Sequence, residues 1–355
     1  MVTLQQLLKS AVKQDASDLH IVAGSPPVLR VDGRIVRVKT PELSGEDTRR
    51  LCYSILTDEQ KSKFEEGKDI DFSFGVRGIA RFRANYFYQR SMVSGVFRRI
   101  PFEIPDLESL GLPKPVEDLT NYSNGLILVT GPTGSGKTTT ITAMIDRINK
   151  ERRGHIITLE DPIEFLHDHK NCIVNQREVG HDTFGYKNAL KYLLRQDPDV
   201  CVMGELRDLD TIETALTVSE TGHMVVATLH TNSAVQTISR IIGVFPSDQQ
   251  ERIRIQLSFV LQAIVSQRLI PGIEGGKVVA TEVLVLNPSI RNLIRENKMH
   301  QIYGMMQVGQ EKSGMITMNQ SLLNLLIKRK IDMREAFMAS PDPEELDKLL
   351  KKVGV

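Results

Sequence analysis

The sequence predicts an α/β protein in which a mostly parallel sheet with helices on its faces follows a smaller α+β domain. After residue 122, apolar runs alternate with helical patterns, as the strands and helices of a parallel sheet do. A glycine-rich motif directly follows the first of these runs. Before residue 101, shorter strand-like runs surround two helical segments, which is typical of a separate α+β domain.

The first 100 residues are predicted to form this smaller domain. Its strand-like runs cover residues 20–22, 28–31, 80–88 and 94–98, and its helical segments lie near residues 44–56 and 58–67. Asp32 and Gly33 form a dipeptide that favours a hairpin turn after the second run. The pattern therefore indicates a sheet of short strands with two helices packed against it.

Proline marks the main domain boundary. Residues 101–122 contain Pro101, Pro105, Pro113 and Pro115. Because proline interrupts both helices and central strands, this stretch supports neither a long helix nor a central strand. We therefore predict a domain over residues 1–100, a linker over 101–122, a sheet core over 123–287 and a helical C-terminal segment over 288–355.

The sheet core is predicted from four apolar runs. They lie at residues 126–130, 156–159, 200–203 and 224–228. Because open parallel sheets bind ligands at the carboxyl ends of their strands, we expect the functional residues there. Beyond Pro288 the pattern becomes helical, with segments at residues 290–295, 299–306, 319–328 and 344–352.

The composition excludes several classes of protein. A chain of 355 residues is long enough for two domains. Its 45 Lys and Arg against 44 Asp and Glu leave a net charge of +1, so the overall charge does not indicate nucleic acid or an anionic membrane. No apolar run approaches the ~18 residues of a membrane span, and the N-terminus lacks the apolar region of a signal peptide. We therefore predict a cytoplasmic protein with three reduced cysteines, Cys52, Cys172 and Cys201.

Residues 131–140, GPTGSGKTTT, match the G-x-x-x-x-G-K-[ST] frame of a phosphate-binding loop. Glycines allow successive backbone N–H groups to turn toward the β-phosphate, Lys137 supplies a positive charge for the β- and γ-phosphates, and the Thr138 hydroxyl is a ligand for Mg²⁺. A predicted strand before the motif and a predicted helix after it provide the required context. The predicted nucleotide-binding residues are Gly131, Pro132, Thr133, Gly134, Ser135, Gly136, Lys137, Thr138 and Thr139.

Acidic residues follow two of the other predicted strands. Glu205 is the candidate to position or activate water and to help hold Mg²⁺; the alternative is a surface glutamate that caps a loop. A second strand ends in Glu160, Asp161 and Glu164, where like charges are unfavourable unless a cation or polar ligand compensates them. Glu160 is the better catalytic candidate of this group, and Asp161, which precedes a proline, is also typical of a turn.

Two histidines bracket the strand at residues 224–228. His230 lies at its carboxyl end, where the side chain is placed to bind a γ-phosphate and to report its loss. His223 lies at the opposite end, and a structural role fits its position about as well as a role in the site. The other histidines in this region, His155, His167, His169 and His181, do not have the spacing of a zinc site.

Together these blocks resemble the secretion ATPase superfamily, and most closely its PilT-like members, the hexameric motors that drive type IV pilus retraction. The resemblance covers nearly the whole chain. It rests on GPTGSGKTTT, ITLEDPIEF, DVCVMGELRD and TGHMVVATLHTN, on SDLHIVAGSPPVLRVDGRI near the N-terminus, and on SIRNLIRENKMHQIYGMMQ near the C-terminus. It implies a PAS-like N-terminal domain, a RecA-like ATPase core and a homohexamer that binds ATP with Mg²⁺. Leu206 and Asp210 depart conservatively from the usual Met and Glu of this family.

The resemblance also implies a partner and a place in the cell. A PilT-like motor is expected in the cytoplasm, at the inner-membrane base of the pilus, where it works with the platform protein and a PilU-like paralogue. Pilus-extension and type II secretion relatives generally carry a paired-cysteine zinc insertion and a longer N-terminal region. This chain has no cysteine after Cys201, which favours the retraction motors. A non-retracting paralogue of the PilU kind is the alternative.

An arginine near the γ-phosphate is expected, because an arginine finger accelerates phosphoryl transfer by about 10³–10⁵. The N-terminal domain offers four candidates on two successive strand-like runs: Arg81, Arg83, Arg98 and Arg99. The first two lie two residues apart and so share one face of a strand. The resemblance favours a finger role at a domain or subunit boundary, whereas the alternative is a solvated basic face. Arg207 is expected to pair with Asp208 or a neighbouring loop instead.

Two functions of other classes are alternatives. A nucleic-acid translocase also uses RecA-like rings and predicts basic loops with stacking aromatic residues. Aromatic residues make up only 5% of the chain and tryptophan is absent, so this alternative is disfavoured and no nucleic-acid partner is expected. A nucleotide-binding scaffold without turnover is distinguished by measuring phosphate release.

Overall fold

The computed structural model describes residues 2–31, 33–100, 103–308 and 314–354. The chain divides into two compact units. The first, here called the N-terminal unit, comprises residues 1–103 together with 162–166, and the second, the C-terminal unit, comprises residues 104–161 and 167–355. Each unit contains both sheet and helix, which confirms the predicted α/β class.

The N-terminal unit is built on a six-stranded antiparallel sheet. Its strands are β1 (Asp18–Ile21), β2 (Val28–Val31), β3 (Arg34–Arg37), β4 (Asp69–Val76), β5 (Ala80–Gln89) and β6 (Met92–Ile100), in the order β3-β2-β1-β6-β5-β4. Its helices are α1 (Leu4–Lys13), α2 (Gly45–Tyr53) and α3 (Asp58–Gly67). The four predicted strands and two predicted helices are confirmed, and α1, β3 and β4 are additional. Asp32 of the predicted hairpin turn lies outside the described residues, although Val31 pairs with Arg34 across it.

Side chains along β5 alternate between the buried face and the outer face of this sheet. Ala80, Phe82 and Ala84 are buried in the core of the unit, and Arg81 and Arg83 between them lie on the other face. Capping boxes define where the helices of this unit begin, because an N-cap side chain and the third helical residue satisfy each other's backbone N–H groups. The N-cap residues are Thr3, Ser44 and Thr57.

The C-terminal unit contains a seven-stranded sheet. Its strands are β7 (Gly125–Thr130), β8 (His155–Glu160), β9 (Ile173–Glu178), β10 (Val200–Met203), β11 (Met224–Leu229), β12 (Leu261–Pro271) and β13 (Lys277–Val285), in the order β13-β12-β7-β11-β10-β8-β9. Every neighbouring pair is parallel except β12 and β13. The predicted mostly parallel sheet is therefore confirmed, and β9, β12 and β13 are additional strands.

Helices cover this sheet and make up most of the C-terminal residues. They are α4 (Lys114–Asp118), α5 (Lys137–Glu151), α6 (Tyr186–Leu193), α7 (Leu209–Glu220), α8 (Ala234–Gly243), α9 (Gln250–Val260), α10 (Pro288–Arg295), α11 (Ile302–Val308), α12 (Met318–Ile327), α13 (Met333–Ala339) and α14 (Pro343–Val353). The predicted helical character beyond Pro288 is confirmed. α13 is additional, and the segment predicted from residue 299 begins with the 3₁₀ turn Met299–Gln301.

The residues predicted as a linker are partly helical. They contain the 3₁₀ turn Leu107–Leu110, the short helix α4 and a second 3₁₀ turn, Leu119–Asn121. Leu107, Val116 and Leu119 are buried in the same apolar cluster as the sheet strand β7. The prolines thus prevent a long helix, while the apolar side chains between them attach this segment to the core of the C-terminal unit. Pro101 and Phe102 lie outside the described residues.

Three parallel strands position the candidate site. β7, β10 and β11 are buried along their whole length. Because β11 pairs with both β7 and β10, their carboxyl ends lie side by side. The phosphate-binding loop follows β7, His230 directly follows β11, and Glu205 comes two residues after β10. The topology therefore brings motifs that are up to 100 residues apart in sequence to one edge of the sheet.

Candidate nucleotide-binding and catalytic site

The phosphate-binding loop contains three glycines with positive φ, and two of them, Gly131 and Gly136, also lie close to β12. Gly131 has a φ of 143°, and a Cβ atom there would lie 2.3 Å from the backbone oxygen of Gln267. Gly136 has a φ of 86° and is the N-cap of α5. Other residues would strain both positions. The loop consequently delivers Lys137 and Thr138 to the first turn of α5, where the helix N-terminus favours anions.

Lys137 is held inside this loop. It is 8% exposed, and its Nζ donates hydrogen bonds to the backbone oxygens of Gly131 at 2.9 Å and Pro132 at 3.0 Å. The same nitrogen lies 3.5 Å from Nδ1 of His230. A phosphate oxygen can replace these carbonyl acceptors without the lysine leaving the loop. The predicted role of Lys137 is thus consistent with its surroundings.

Glu205 is held from two sides. Nε of Arg207 donates to its Oε2 atom at 2.8 Å, and Nε2 of His230 lies 3.1 Å from its Oε1 atom. The expected pairing of Arg207 with Asp208 is wrong, because Asp208 instead caps α7 by accepting from the backbone N–H of Thr211. This capping bond is the main reason why the pKa of Asp208 is lowered. With Asp208 engaged in the cap, the guanidinium of Arg207 pairs with Glu205.

The second acidic strand end lies two strands away from His230. Thr158 and Gln176 donate to Oε1 of Glu160, at 2.6 and 3.0 Å. Burial is the largest cause of a raised pKa for Tyr186, and the charge of Asp161 raises it further. Tyr186 was not among the predicted site residues, because a tyrosine at the start of an amphipathic helix has no distinguishing sequence pattern. The charges of Asp161, Glu160 and Glu205 thus all act on Tyr186.

One predicted site residue of the C-terminal unit is not brought to this edge. His223 precedes β11, at the end of the strand opposite to His230, and its Nδ1 lies 3.2 Å from the backbone oxygen of Val218. This contact indicates a structural role. Glu164 belongs to the segment Pro162–Leu166, which groups with the N-terminal unit.

The four candidate finger arginines all belong to the N-terminal unit, where Arg83 lies opposite Arg98 across β5 and β6. Nε of Arg83 donates to Asp71 at 3.2 Å, and Nε of Arg98 donates to Asp18 at 2.9 Å. Arg81 and Arg99 have their own local partners, Ser73 and Asp15. Local carboxylates therefore compensate the charges of Arg83, Arg98 and Arg99 and hold these side chains in place.

Gln267 contacts the phosphate-binding loop and was not predicted from the sequence. It lies on β12, is 1% exposed, and its Nε2 donates to the backbone oxygen of Ser135 at 2.7 Å. At the preceding position of β12, the Ser266 hydroxyl lies 2.7 Å from the Thr130 hydroxyl. Because β12 itself was not predicted, no sequence signal placed these polar side chains against the phosphate-binding loop.

The fold and the site together define a P-loop nucleoside triphosphatase of the RecA-like class. Within that class, the chain belongs to the family described as Type II/IV secretion system protein, whose model matches residues 1–336. It is 47% identical to the type IV pilus retractation ATPase PilT of Pseudomonas aeruginosa over 341 residues, which are 96% of this chain and 99% of that protein.

A paralogous protein and a solved structure are also similar. The type IV pilus ATPase PilU of Pseudomonas aeruginosa is 41% identical over 351 residues, which cover 99% of this chain and 91% of that one. A crystal structure of the pilus retraction motor PilT with bound ADP is 53% identical, with a TM-score of 0.93 and coverage of 98% of this chain and 100% of the other. In the described part of the chain, no helix is both long and apolar enough to cross a membrane.

Proposed function

We propose that this chain is a motor ATPase that couples ATP hydrolysis to the retraction of a type IV pilus. The observation that carries this proposal is its nearly full-length likeness to PilT, at 47% identity. The geometry supports the enzymatic part, since Lys137, Glu205 and His230 converge at the edge of the sheet where a nucleotide would bind. Hydrolysis at that edge would change the contacts of the phosphate-binding loop and of the segments that follow β10 and β11.

The residues present fit a complex of ATP with Mg²⁺. The loop forms a cradle that a side chain at Gly131 would fill, and the buried Ser135 hydroxyl has no hydrogen-bond partner among the described residues. Thr138 and Glu205 offer the oxygen ligands that Mg²⁺ prefers, with the glutamate acting directly or through water. When bound, the ion would neutralise charge on the β- and γ-phosphates. The described residues contain no group of three His, Cys, Asp or Glu side chains that could hold a metal by themselves.

Glu205 is proposed to position the attacking water. Its side chain is 21% exposed, so one side of the carboxylate is accessible while Arg207 and His230 orient it. Glu160 is proposed as the second carboxylate of the site, fixed by its hydrogen bonds to Thr158 and Gln176. A contribution of Glu164 to catalysis stays a prediction.

The charge that develops on the γ-phosphate needs a further cation, and we propose that the N-terminal unit supplies it. Arg83 and Arg98 lie opposite each other and are oriented by Asp71 and Asp18. Arg81 and Arg99 are secondary candidates on the same strands. A finger from this unit that acts on the nucleotide of a neighbouring subunit would make turnover depend on assembly, whereas one that acts on its own nucleotide would not.

The working form is proposed to be a cytoplasmic homohexamer at the inner-membrane base of the pilus. Its partners would be the platform protein of the pilus machine and a PilU-like paralogue. The resemblance to hexameric motors supports this assembly.

Deletion of the gene tests the direction of the motor. If the chain drives retraction, the mutant should carry more pili than the wild type and lose twitching motility. A copy of the wild-type gene should restore motility, and a Glu205→Gln copy should not. A mutant without pili would show that the chain drives extension, and a mutant that still retracts its pili unaided would point to an accessory role of the PilU kind.

A further inference from the structure

Glu282 is a buried carboxylate on β13 that binds the beginnings of two helices. It is 2% exposed, and its Oε1 accepts a hydrogen bond of 2.7 Å from the backbone N–H of Ala234, the first residue of α8. β13 also borders the start of α12, where Val283 pairs with Ile316 and the backbone N–H of Thr281 donates to Ser321 at 3.0 Å. The backbone N–H of Met318, the first residue of α12, favours the ionised form of this carboxylate. One side chain therefore joins two helices that begin 84 residues apart in sequence.

The physical reason lies in the unsatisfied N–H groups of a helix N-terminus. Ser233 and Thr317 are the N-caps of α8 and α12, and each accepts from the third residue of its helix. Neither cap satisfies the first N–H, which needs another acceptor. A carboxylate suits this place because helix N-termini carry partial positive charge. Burial raises the pKa of Glu282, while the two N–H donors and the charge of Arg268 favour its ionised form.

α8 begins four residues after His230, and the loop between them is fastened to the first turns of the helix. The Thr231 hydroxyl lies 2.6 Å from the Thr237 hydroxyl, and the backbone N–H of Asn232 donates to the side chain of Gln236 at 3.3 Å. The loop is therefore expected to move with the first turn of α8. A contact that fixes the first turn of α8 therefore also helps to fix His230 beside Glu205.

α12 is connected in turn to the last helices of the chain. Asn319 on α12 donates to Glu345 on α14 at 2.6 Å, and the hydroxyl of Tyr303 on α11 donates to the same carboxylate at 2.5 Å. These bonds join α11, α12 and α14 into one hydrogen-bonded group. Glu282 adds a polar contact between this part of the chain and the start of α8, where Ala234 also packs in one apolar cluster with Ile302 and Met306 of α11.

We propose that Glu282 is a positioning residue of the nucleotide site, which fixes the loop carrying His230 and ties it to the C-terminal helices. This inference rests on the function proposed above. It requires no contact between Glu282 and the nucleotide, because the carboxylate acts through Ala234 and the loop. Glu282 should therefore influence the chemical step more than the binding of ATP.

Glu282→Gln tests this role, because glutamine keeps the shape but removes the charge and one acceptor oxygen. We expect kcat for ATP hydrolysis to fall about tenfold while KM for ATP changes less than about twofold, as for a residue that acts on the transition state. Asp332→Asn is the matched control, since Asp332 caps only α13 by accepting from Glu335 at 2.9 Å. This control should change both constants less than about twofold. An unchanged kcat in Glu282→Gln would overturn the proposal.

A double-mutant cycle separates positioning from a general loss of stability. In a His230→Ala background, Glu282→Gln should lower kcat less than about twofold, because the group that it positions is already gone. If Glu282→Gln lowers kcat equally, by about tenfold, in the wild-type and His230→Ala backgrounds, the proposal is overturned. Absence of turnover in the wild-type hexamer would instead contradict the proposed function.

Amide hydrogen exchange gives a measurement that does not depend on turnover. Addition of Mg²⁺ with the non-hydrolysable analogue AMPPNP should change protection at residues 234–237 and 318–321 together. In Glu282→Gln, the change at 318–321 should be lost while that at 234–237 persists. If residues 318–321 do not respond in the wild type, Glu282 does not connect the two helices functionally and the proposal fails.

Discussion

Nε2 of His230 lies 3.1 Å from Oε1 of Glu205, so the loop after β11 and the end of β10 meet at one carboxylate. The other ring nitrogen, Nδ1, lies 3.5 Å from Nζ of Lys137. His230 therefore stands between the cation of the phosphate-binding loop and the acid proposed to position water. A γ-phosphate bound by Lys137 would change both contacts, which makes His230 the residue best placed to report hydrolysis to the rest of its loop.

Lys137→Ala should abolish tight ATP binding and lower turnover by on the order of a hundredfold or more, because the backbone N–H groups of the loop cannot replace a full positive charge on the phosphates. Binding of a fluorescent ATP analogue and phosphate release measure the two effects. Lys150→Ala is the control, since it removes a positive charge from the other end of α5, where Lys150 binds Asp106 and Asp146. Normal hydrolysis by Lys137→Ala would refute the assignment of the site.

Glu205→Gln should leave ATP binding intact and lower kcat by on the order of a hundredfold, because the amide keeps the shape but cannot accept a proton from water. Equilibrium binding and single-turnover phosphate release separate the two effects. Glu213→Gln, on the exposed side of α7, is the matched control and should behave as the wild type. If Glu205→Gln hydrolyses ATP normally, Glu160 becomes the candidate that orients water.

Arg83→Ala and Arg98→Ala should lower turnover more than ATP affinity, since a finger acts on the charge that develops in the transition state. Steady-state kinetics and nucleotide binding measure both variants. Arg37→Ala, on the exposed edge strand β3, is the control for the loss of a basic charge in the same sheet. Normal activity of both variants would mean that these arginines have no role in hydrolysis and are solvent-facing charges paired with Asp71 and Asp18.

Mixing two inactive variants tests whether a finger acts between subunits. Rings assembled from Arg83→Ala and Glu205→Gln proteins contain some interfaces at which both contributing residues are wild type, so part of the hydrolysis should return. Subunit exchange is first established by mixing fluorescently labelled proteins. Once exchange is shown, a mixture without activity argues against action between subunits and for action of Arg83 within its own subunit.

His167 should make the protein less stable in acid. Burial lowers its pKa to about 4, against about 6.5 in the unfolded chain. Because the unfolded chain binds more protons between these values, the stability is fully present above pH 6.5 and is lost as the pH falls toward 4. This group should lower the free energy of unfolding by about 2 kcal/mol between pH 7.5 and pH 5.

Urea unfolding of His167→Gln at the two pH values measures this contribution. The variant should show a smaller decrease of stability on acidification than the wild type, by about the same 2 kcal/mol. His181→Gln, at an exposed position of the loop after β9, should retain the wild-type dependence. An identical pH dependence of His167→Gln and the wild type would mean that the ring of His167 is not buried in its neutral form.

Local patterns in the sequence were sufficient to predict the strands that carry the site. β7, β10 and β11 are continuous apolar runs because both of their faces are buried, and runs of this kind are recognisable without any partner. Strands of other kinds were missed. β12 follows α9 without a break, so the apolar pattern of the helix continues into the strand, and the edge strand β9 is only partly buried and carries a mixed pattern.

By itself, the sequence determined the α/β class, the phosphate-binding loop and the acidic and histidine residues at the strand ends, because each is a local pattern of residue types. Only the tertiary structure decided which of these residues meet. Arg207 pairs with Glu205 rather than Asp208 because the cap of α7 uses Asp208, and His223 is separated from the site by the length of β11. Glu282 joins α8 to α12 because β13 lies beside the starts of both. Contacts of this kind depend on how distant segments pack, which no local pattern records.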